Sequence, residues 1–400
     1  MSTTPVQSRT APAAVRAALD VDRDDLVRAG VIVGLLAFVV FAVPEFVGSD
    51  WITTFTSVAI YSVVALGFGL LYGRVGMISL GQVGLLTVGV WVGTRLSYAT
   101  SLPFPLLLLC AGGITCAIGV LVGLPALRLS GLYLALITLM FAGATTVVIS
   151  VIDFPNGGGG FKGRSLTGAL TTETPPVRRP SWANADAAYY RYTVIVCTIL
   201  FLLALLHVAA KPGRAWAAIR ESEPAALSAG VNITLYKLWA FALASFVTGV
   251  AGCLLAAQVG VPRAITFQTQ DSLIVAATAL IGGIFSLWGA IIAGLFQQLL
   301  PFLFQAQWGV NANFLLTVFG AGLLQVLLTA PGGLIEQFPK DMANLARLVA
   351  RKVPLTRQAA LGIGSILALI VGIVFLVTTS PLLGLIVVIL SPVLAALAQD

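Results

Sequence analysis

The feature that most constrains this chain is a series of long, continuous apolar segments separated by short polar stretches. Most segments have about the 18 to 25 residues that a helix needs to cross a bilayer, and one, Asp271–Phe304, is longer. Only 9% of all residues are charged, against about a quarter in ordinary soluble domains. A β-barrel is not expected, because its strands would alternate apolar and polar positions. The sequence therefore predicts an all-α polytopic membrane protein with about 10–12 transmembrane or re-entrant helices.

Few long polar regions separate the apolar segments. The apolar segments are predicted at Ala29–Val47, Trp51–Tyr72, Val75–Leu96, Leu102–Leu127, Ser130–Ile152, Tyr192–Ala210, Leu238–Val261, Asp271–Phe304, Ala312–Ala330, Ala359–Thr379 and Pro381–Ala398. Residues 1–28 are polar and too long for the start of a signal peptide, which predicts a flexible cytoplasmic tail. Residues 334–358 predict a basic cytoplasmic linker.

The polar stretch Lys211–Asn232 lies between two apolar segments and still has the pattern of folded structure. Ser222 is a good N-cap, and Glu223 and Pro224 suit the first helical turn that follows. Gly230 is placed where a left-handed residue would end a short helix. On physical grounds alone, this helix is either an ordered loop or a knob that docks into a groove on a soluble partner.

Four residues of this helix carry a resemblance. Glu223, Ala225, Ala226 and Gly230 resemble the cytoplasmic coupling loop of bacterial ABC-importer permeases, which typically reads Glu-Ala-Ala, three residues, then Gly. Here Pro224 displaces the glutamate by one place. The resemblance implies that the knob binds ATPase subunits in the cytoplasm.

The wider run Gly213–Ala256 is similar to permease subunits of branched-chain (hydrophobic) amino acid ABC transporters, and the similarity extends over about Trp51 to Gly333. It implies a permease domain over 29–333, with 211–237 as its coupling loop. The residues expected to couple to the ATPases are Arg220, Glu221, Glu223, Ala225, Ala226 and Gly230.

The distribution of basic residues predicts the orientation. Most Lys and Arg residues lie in loops on the side of the N-terminus, which the positive-inside rule places in the cytoplasm together with 211–237. Loop 153–191 is then extracytoplasmic. Basic residues after 340 should also be inside, which requires that Asp271–Phe304 enters the membrane and returns. Glycines near the middle of that segment predict a discontinuous, re-entrant helix pair.

A second break is predicted at Gly73–Gln82. Its pattern Gly76-Met-Ile-Ser-Leu80 matches Gly283-Ile-Phe-Ser-Leu287 in the later break, as expected of two halves related by an internal repeat. Both segments also resemble the amino acid permease family. Interrupted helices can expose polar groups to a solute, although glycine and serine also serve close helix packing. The predicted substrate path comprises Ser79, Gly81, Gln82, Gly282, Gly283 and Ser286.

The outer loop contains a glycine-rich stretch, Asn156–Gly163. Its spacing imitates nucleotide-binding loops, but those need a strand before and a helix after, within an α/β unit. By resemblance, a loop at this place docks an extracytoplasmic substrate-binding protein. The candidate docking residues are Gly157, Gly158, Gly159 and Gly160.

Ionisable residues within the apolar segments are expected to be rare: His207, Asp271 and Glu45 lie near segment ends. An ion-coupled carrier would need buried titratable groups, so a partner should supply the energy. The cysteines lie in apolar segments and are not spaced like metal ligands, so they are interpreted as core residues. Catalytic and metal-binding constellations are absent from the pattern, and no cofactor is expected in this chain, since ATP would be hydrolysed by partner subunits.

The resemblance implies a subunit of an ATP-driven importer for branched-chain or hydrophobic amino acids in the bacterial plasma membrane. Its expected partners are ABC ATPases, a second homologous permease, the substrate-binding protein and membrane lipid, but no nucleic acid. Residues 359–400 predict an additional hairpin. Alternatives are a permease for urea, short amides, a sugar or a nucleoside, an ATPase-independent channel or carrier, and a scaffold or lipid-modifying enzyme.

Overall fold

The fold is taken from a computed structural model that describes residues 34, 36–129, 131–151, 177–262, 267–307, 320–324 and 333–335. Several predictions lie outside these residues: the tail 1–28, the loop Gly157–Gly160, nearly all of the linker 334–358, and the hairpin 359–400. The chain divides into two compact units, Met1–Gly48 and Ser49–Asp400. The first unit contains the short helix α1 (Val43–Phe46), with proline in its first turn.

The described part of the second unit is built from helices. In chain order they are α2 (Ser49–Gly69, continued as a π-helix over Leu70–Val75), α3 (Gln82–Ala99), α4 (Phe104–Ala126), α5 (Leu132–Val151), α6 (Asp186–Ala209), α7 (Lys211–Glu221), α8 (Glu223–Ser228), α9 (Ile233–Val259), α10 (Thr269–Gly282) and α11 (Gly289–Gly294, continued through π-helical and α-helical turns to Gln307).

Five helices in the described part of the chain are long and apolar enough to cross a membrane: Ser49–Val75, Phe104–Pro125, Leu132–Val151, Asp186–Ala209 and Ile233–Val259. With no strand among the described residues, this confirms the all-α polytopic membrane class. Two helices begin earlier than the sequence predicts, α6 at Asp186 and α9 at Ile233. Both extensions are polar ends, stabilised by an acidic first turn and by the Asn232 N-cap respectively.

Helix α9 lies at the centre of the core, and glycines let its neighbours approach closely. A Cβ at Gly89 of α3 would lie 2.3 Å from the Gly249 carbonyl oxygen, and one at Gly252 would lie 2.4 Å from that of Leu86. On the α4 side, a Cβ at Gly119 would overlap Ser245. Small residues at such crossings are the usual means by which membrane helices pack.

The peripheral helices turn apolar side chains outward. Leu121 of α4 is 64% exposed, Met140 of α5 72% and Leu206 of α6 66%. Apolar surface of this extent is not stable against water and suits the hydrocarbon of a bilayer. The core therefore faces lipid through α4, α5 and α6.

The end of the predicted outer loop is fastened to the core. The Val177 amide donates to the Gly260 carbonyl at 2.8 Å. The Arg179 guanidinium donates to the Ala257 carbonyl at 3.0 Å and pairs with Asp186 at 2.8 Å. This arginine therefore ties the start of α6 to the C-terminal end of α9.

Candidate functional site

The polar stretch between α6 and α9 contains an amphipathic helix, α7, which precedes the short helix predicted from sequence. Its buried face is formed by Ala215, Trp216 and Ile219. The Trp216 indole is fully buried, and its Nε1 donates to the Tyr236 carbonyl at 2.8 Å. This anchors α7 against the first turn of α9.

The short helix α8 forms as predicted, with Ser222 as its N-cap. The Ser222 hydroxyl accepts from the Ala225 amide at 3.4 Å. At the other end, Gly230 has φ +80°, its amide donates to Leu227 O at 3.0 Å, and the Val231 amide donates to Ala226 O at 3.0 Å. These bonds form a Schellman motif, which confirms the predicted closure by glycine.

Glu223 is held from within the chain. Its Oε1 accepts from Lys237 Nζ at 2.6 Å, and the lysine side chain is only 8% exposed. A buried ammonium left without its carboxylate would be strongly unfavourable. Glu223 therefore fixes α8 on the first turn of α9, while its own side chain remains half exposed.

Most of the predicted coupling residues face outward, but they do so unequally. Glu221, Ala225 and Gly230 are exposed, whereas Ala226 is buried. The sequence reasoning did not single out Leu227, which is 63% exposed on α8.

The first helix break lies where predicted. Helix α2 runs into the π-helix Leu70–Val75, which ends at Gly76 with φ +85°. Residues 76–81 are not helical, and α3 starts at Gln82. The Leu80 amide donates to the Thr138 hydroxyl of α5 at 2.8 Å, so α5 supports the interrupted backbone.

The second break also lies where predicted. Helix α10 ends at Gly282, Gly283 has φ +111°, and α11 begins at Gly289. The two half-helices return on each other: a Cβ at Gly282 would lie 2.2 Å from the Gly289 carbonyl oxygen. The break and the return of the chain are those expected from the sequence, and re-entry at this hairpin stays a prediction.

The structure brings the two breaks together. A Cβ at Gly73 would lie 1.9 Å from the carbonyl oxygen of Ile284, so the two backbones touch. Arg220, in the last turn of α7, donates from Nη1 to the Gly73 carbonyl at 2.9 Å. Its Cζ lies 4.3 Å from the centre of the Phe285 ring. Arg220 therefore contacts both breaks.

A cleft of about 590 Å³ opens beside this junction. It separates the end of α2 from α7 and is rich in basic side chains. The lining residues are Gly73, Arg74, Val208, Gly213, Arg214, Ala217, Arg220 and Glu221.

The predicted substrate-path residues serve structural contacts in this conformation. Ser79 and Gln82 are buried, and Gln82 Oε1 accepts from the Thr248 hydroxyl at 2.9 Å. Gly81 packs against Thr138 of α5, and Trp288 N donates to Ser286 Oγ at 3.3 Å. Gly282 and Gly283 form the turn of the second break. Their part in a solute path stays a prediction.

Two buried cations near segment ends were not singled out from the sequence. Arg95 of α3 is completely buried, and Lys237 is 6% exposed. Their depth depends on packing partners far away in sequence. The His207 side chain contacts its own helix, with Nδ1 2.8 Å from Leu203 O. The four cysteines are free thiols, and the described residues contain no cluster of three or more His, Cys, Asp or Glu suited to a metal.

Comparison with known proteins accords with this architecture. Residues 51–329 match the family described as "Branched-chain amino acid transport system / permease component". The chain is 30% identical over 278 residues to the high-affinity branched-chain amino acid transport system permease protein LivM of Salmonella typhimurium, and 30% identical over 280 residues to LivM of Escherichia coli.

Each of these alignments covers 65% of this chain, and the chain spans about 65% of the length of either relative. No solved structure matches the chain. The match to the family extends from α2, through both breaks and the capped helix, to beyond α11. The chain belongs to the family of permease components of branched-chain amino acid transport systems.

Proposed function

We propose that this chain is the transmembrane permease subunit of an ATP-driven ABC importer for branched-chain or other hydrophobic amino acids. The observation that carries the proposal is α8: a capped, outward-facing helix between membrane spans, in a chain of this permease family. The chain would lie in the bacterial plasma membrane, as the family suggests, and the positive-inside distribution supports an orientation with the N-terminus and α8 in the cytoplasm.

Helix α8 would be the contact for the ATPase subunits. Its exposed Leu227 offers an apolar anchor, and the Glu223–Lys237 pair and the Schellman motif hold the helix in one orientation. A rigid knob transmits displacement better than a flexible loop, because no motion is lost in ordering it. ATP would be hydrolysed by those partner subunits, and this chain would need no cofactor of its own.

The remaining partners follow from the same family. A second homologous permease would complete the pathway, a substrate-binding protein would deliver the amino acid from outside, and lipid would cover the apolar faces of α4, α5 and α6. A solute path formed by the glycine, serine and other small residues of the two breaks would be compatible with a zwitterion that has an apolar side chain.

The test is uptake of radiolabelled leucine into proteoliposomes that hold the affinity-purified complex and internal ATP. The Leu227→Asp variant should lower uptake about tenfold or more, as expected for loss of an interface anchor worth about 2 kcal/mol, and should lose co-purifying ATPases identified by mass spectrometry. Thr234→Ala, an exposed change on the first turn of α9, serves as control. Normal uptake and normal recovery of ATPases in Leu227→Asp would refute the docking assignment.

Gly230→Val tests the closure of the same helix. Valine is strained at φ +80° and costs about 1–2 kcal/mol there, so α8 should lose its C-terminal end. We expect a clear loss of leucine uptake with unchanged membrane abundance. Gly113→Val is the matched control, because Gly113 of α4 is exposed and a Cβ there meets nothing within 4 Å. Uptake of labelled urea, acetamide, ribose or adenosine by the wild-type complex, without uptake of labelled leucine, would replace the proposed solute.

A further inference from the structure

Arg220 stands at the junction between the proposed docking helix and the membrane-embedded breaks. It lies in the last turn of α7, two residues before Ser222, the N-cap of α8. Helix α7 is fixed by the buried Trp216, and α8 by the Glu223–Lys237 pair. Because only Ser222 separates α7 from α8, a displacement of α8 would also move Arg220.

The first contact of Arg220 is a carbonyl at the end of α2. Near that end the Gly76 amide donates to Tyr72 O and the Met77 amide to Leu71 O, both at 3.0 Å. Neither bond uses Gly73 O, which accepts from Arg220 Nη1 at 2.9 Å. A charged donor is well placed on the carbonyl end of a helix, where the dipole is negative.

The second contact joins the other break. The guanidinium lies over the Phe285 ring at 4.3 Å, within the range of a cation–π interaction. The aliphatic part of the same side chain supports the first break, because a Cβ at Gly76 would lie 3.3 Å from Arg220 Cγ. One side chain thus holds the end of α2 and the tip of the α10–α11 hairpin.

We infer that Arg220 is the positioning residue that transmits movement of the docking helix to both helix breaks. This rests on the proposed function, since it gives α8 its role as the site of ATPase contact. When α8 moves, Arg220 would leave Gly73 O and the Phe285 ring together, and the two breaks would lose their common support. Release at this point would open the cytoplasmic end of the path.

Two further features suit a contact that must open and close. Arg74, Arg214 and Glu221 line the same cleft as Arg220, and the like charges of Arg74 and Arg220 repel each other across the contact. The planar guanidinium can donate to a carbonyl and stack on an aromatic ring at once, which a lysine ammonium does poorly. The residue type is therefore matched to its double contact.

The first experiment compares Arg220→Lys and Arg220→Gln with wild type in the ATPase-containing complex, measuring leucine uptake and ATP hydrolysis in the same proteoliposomes. We expect Arg220→Gln to reduce the number of leucines moved per ATP about tenfold while the ATPases still co-purify. Arg220→Lys should fall between. Lys211→Gln, an exposed charge removal at the other end of α7, should match wild type.

An unchanged ratio of leucine to ATP in Arg220→Gln would overturn the inference, as would equal loss of uptake and ATPase binding. Absence of ATP-dependent leucine uptake in wild type would instead refute the proposed function, which keeps the two failures apart. In that case the inference fails with it, because no transport remains for Arg220 to couple.

The second experiment replaces the contact with a covalent bond. A Cβ at Gly76 would lie 3.9 Å from Arg220 Cβ, which is within the range for a disulfide. In Gly76→Cys/Arg220→Cys, oxidation with copper phenanthroline should lower uptake below that of the reduced double variant, and dithiothreitol should restore it. The single-cysteine variants should not respond. Equal uptake rates in the cross-linked double variant and in its dithiothreitol-treated form would overturn the inference.

Discussion

The two helix breaks begin alike and are held differently. Each opens with a glycine of positive φ, +85° at Gly76 and +111° at Gly283. In each the helix resumes six residues later, from Gly76 to Gln82 and from Gly283 to Gly289. The shared pattern noted in the sequence therefore coincides with a positive-φ glycine and an equal spacing between the helices, which supports an internal repeat.

Their supports explain how they differ. The first break is braced by other helices: Thr138 of α5 accepts from Leu80 N, and Thr248 of α9 donates to Gln82. The second break is held by its own Gly283–Ser286 and Ser286–Gly289 backbone bonds and by the close approach of Gly73 and Gly333, while Phe285 and Trp288 are exposed. A break hydrogen-bonded to core side chains suits a static wall, and a hairpin tip with exposed side chains suits a part that moves.

The largest effect is expected where the two breaks touch. Gly73→Ala would place a Cβ 1.9 Å from the Ile284 carbonyl oxygen, and backbone on both sides must then shift. Overpacking of this kind costs about 1–3 kcal/mol or more, and leucine uptake should fall with it. Thermal unfolding of the purified protein in detergent measures the stability.

Gly113→Ala on the outward face of α4 is the matched control for Gly73→Ala, because no atom lies within 4 Å of its Cβ. It should raise stability slightly, since alanine is the better helix former. If both variants unfold at the same temperature, the contact between the breaks is not the close one described.

The next prediction separates the glycines that open the two breaks. Gly76 has φ +85° and ψ +14°, a left-handed helical conformation that asparagine tolerates, whereas Gly283 has φ +111° and ψ +96° and lies outside that region. Gly76→Ala and Gly283→Ala should each cost about 1–2 kcal/mol. Gly76→Asn should recover part of that loss, and Gly283→Asn should not. Detergent unfolding temperatures of the four variants provide the check, and equal recovery at both sites would show that the breaks are alike.

Local chemistry made the breaks and the caps predictable. A serine N-cap, a glycine C′ residue and glycines inside an overlong apolar run act over a few residues, so Ser222, Gly230 and Gly283 could be assigned from sequence. The amphipathic helix α7 was missed because its pattern is short and contains only three buried residues, Ala215, Trp216 and Ile219.

Contacts between distant segments were not predictable. The bond from Arg220 to Gly73 joins residues 147 positions apart, and the burial of Arg95 and Lys237 depends on which helices surround them. A single sequence gives the period of a helix but not its neighbours. The coupling residues could thus be placed on a knob, whereas the link from that knob to the breaks required the fold.

The smallest predicted effect concerns a threonine–glutamine hydrogen bond that accompanies each break. At the first break Thr248 donates to Gln82 Oε1 at 2.9 Å, and at the second Thr278 donates to Gln297 Oε1 at 3.3 Å. The Thr278 hydroxyl also lies 2.9 Å from the Ile274 carbonyl, which competes for the same proton. The glutamine bond of the first break is therefore the stronger one.

Thr248→Val should lower the unfolding free energy by about 1 kcal/mol, because it leaves the amide oxygen of Gln82 buried without a donor. Thr278→Val should cost less, since its hydroxyl proton can be shared with the helix backbone and Gln297 is 9% exposed. Combining each variant with Gln82→Leu or Gln297→Leu in double-mutant cycles isolates the pair energies. A larger coupling at Thr278–Gln297 than at Thr248–Gln82 would reverse the assignment of the fixed and the movable break, because the hairpin would then be the more firmly held of the two.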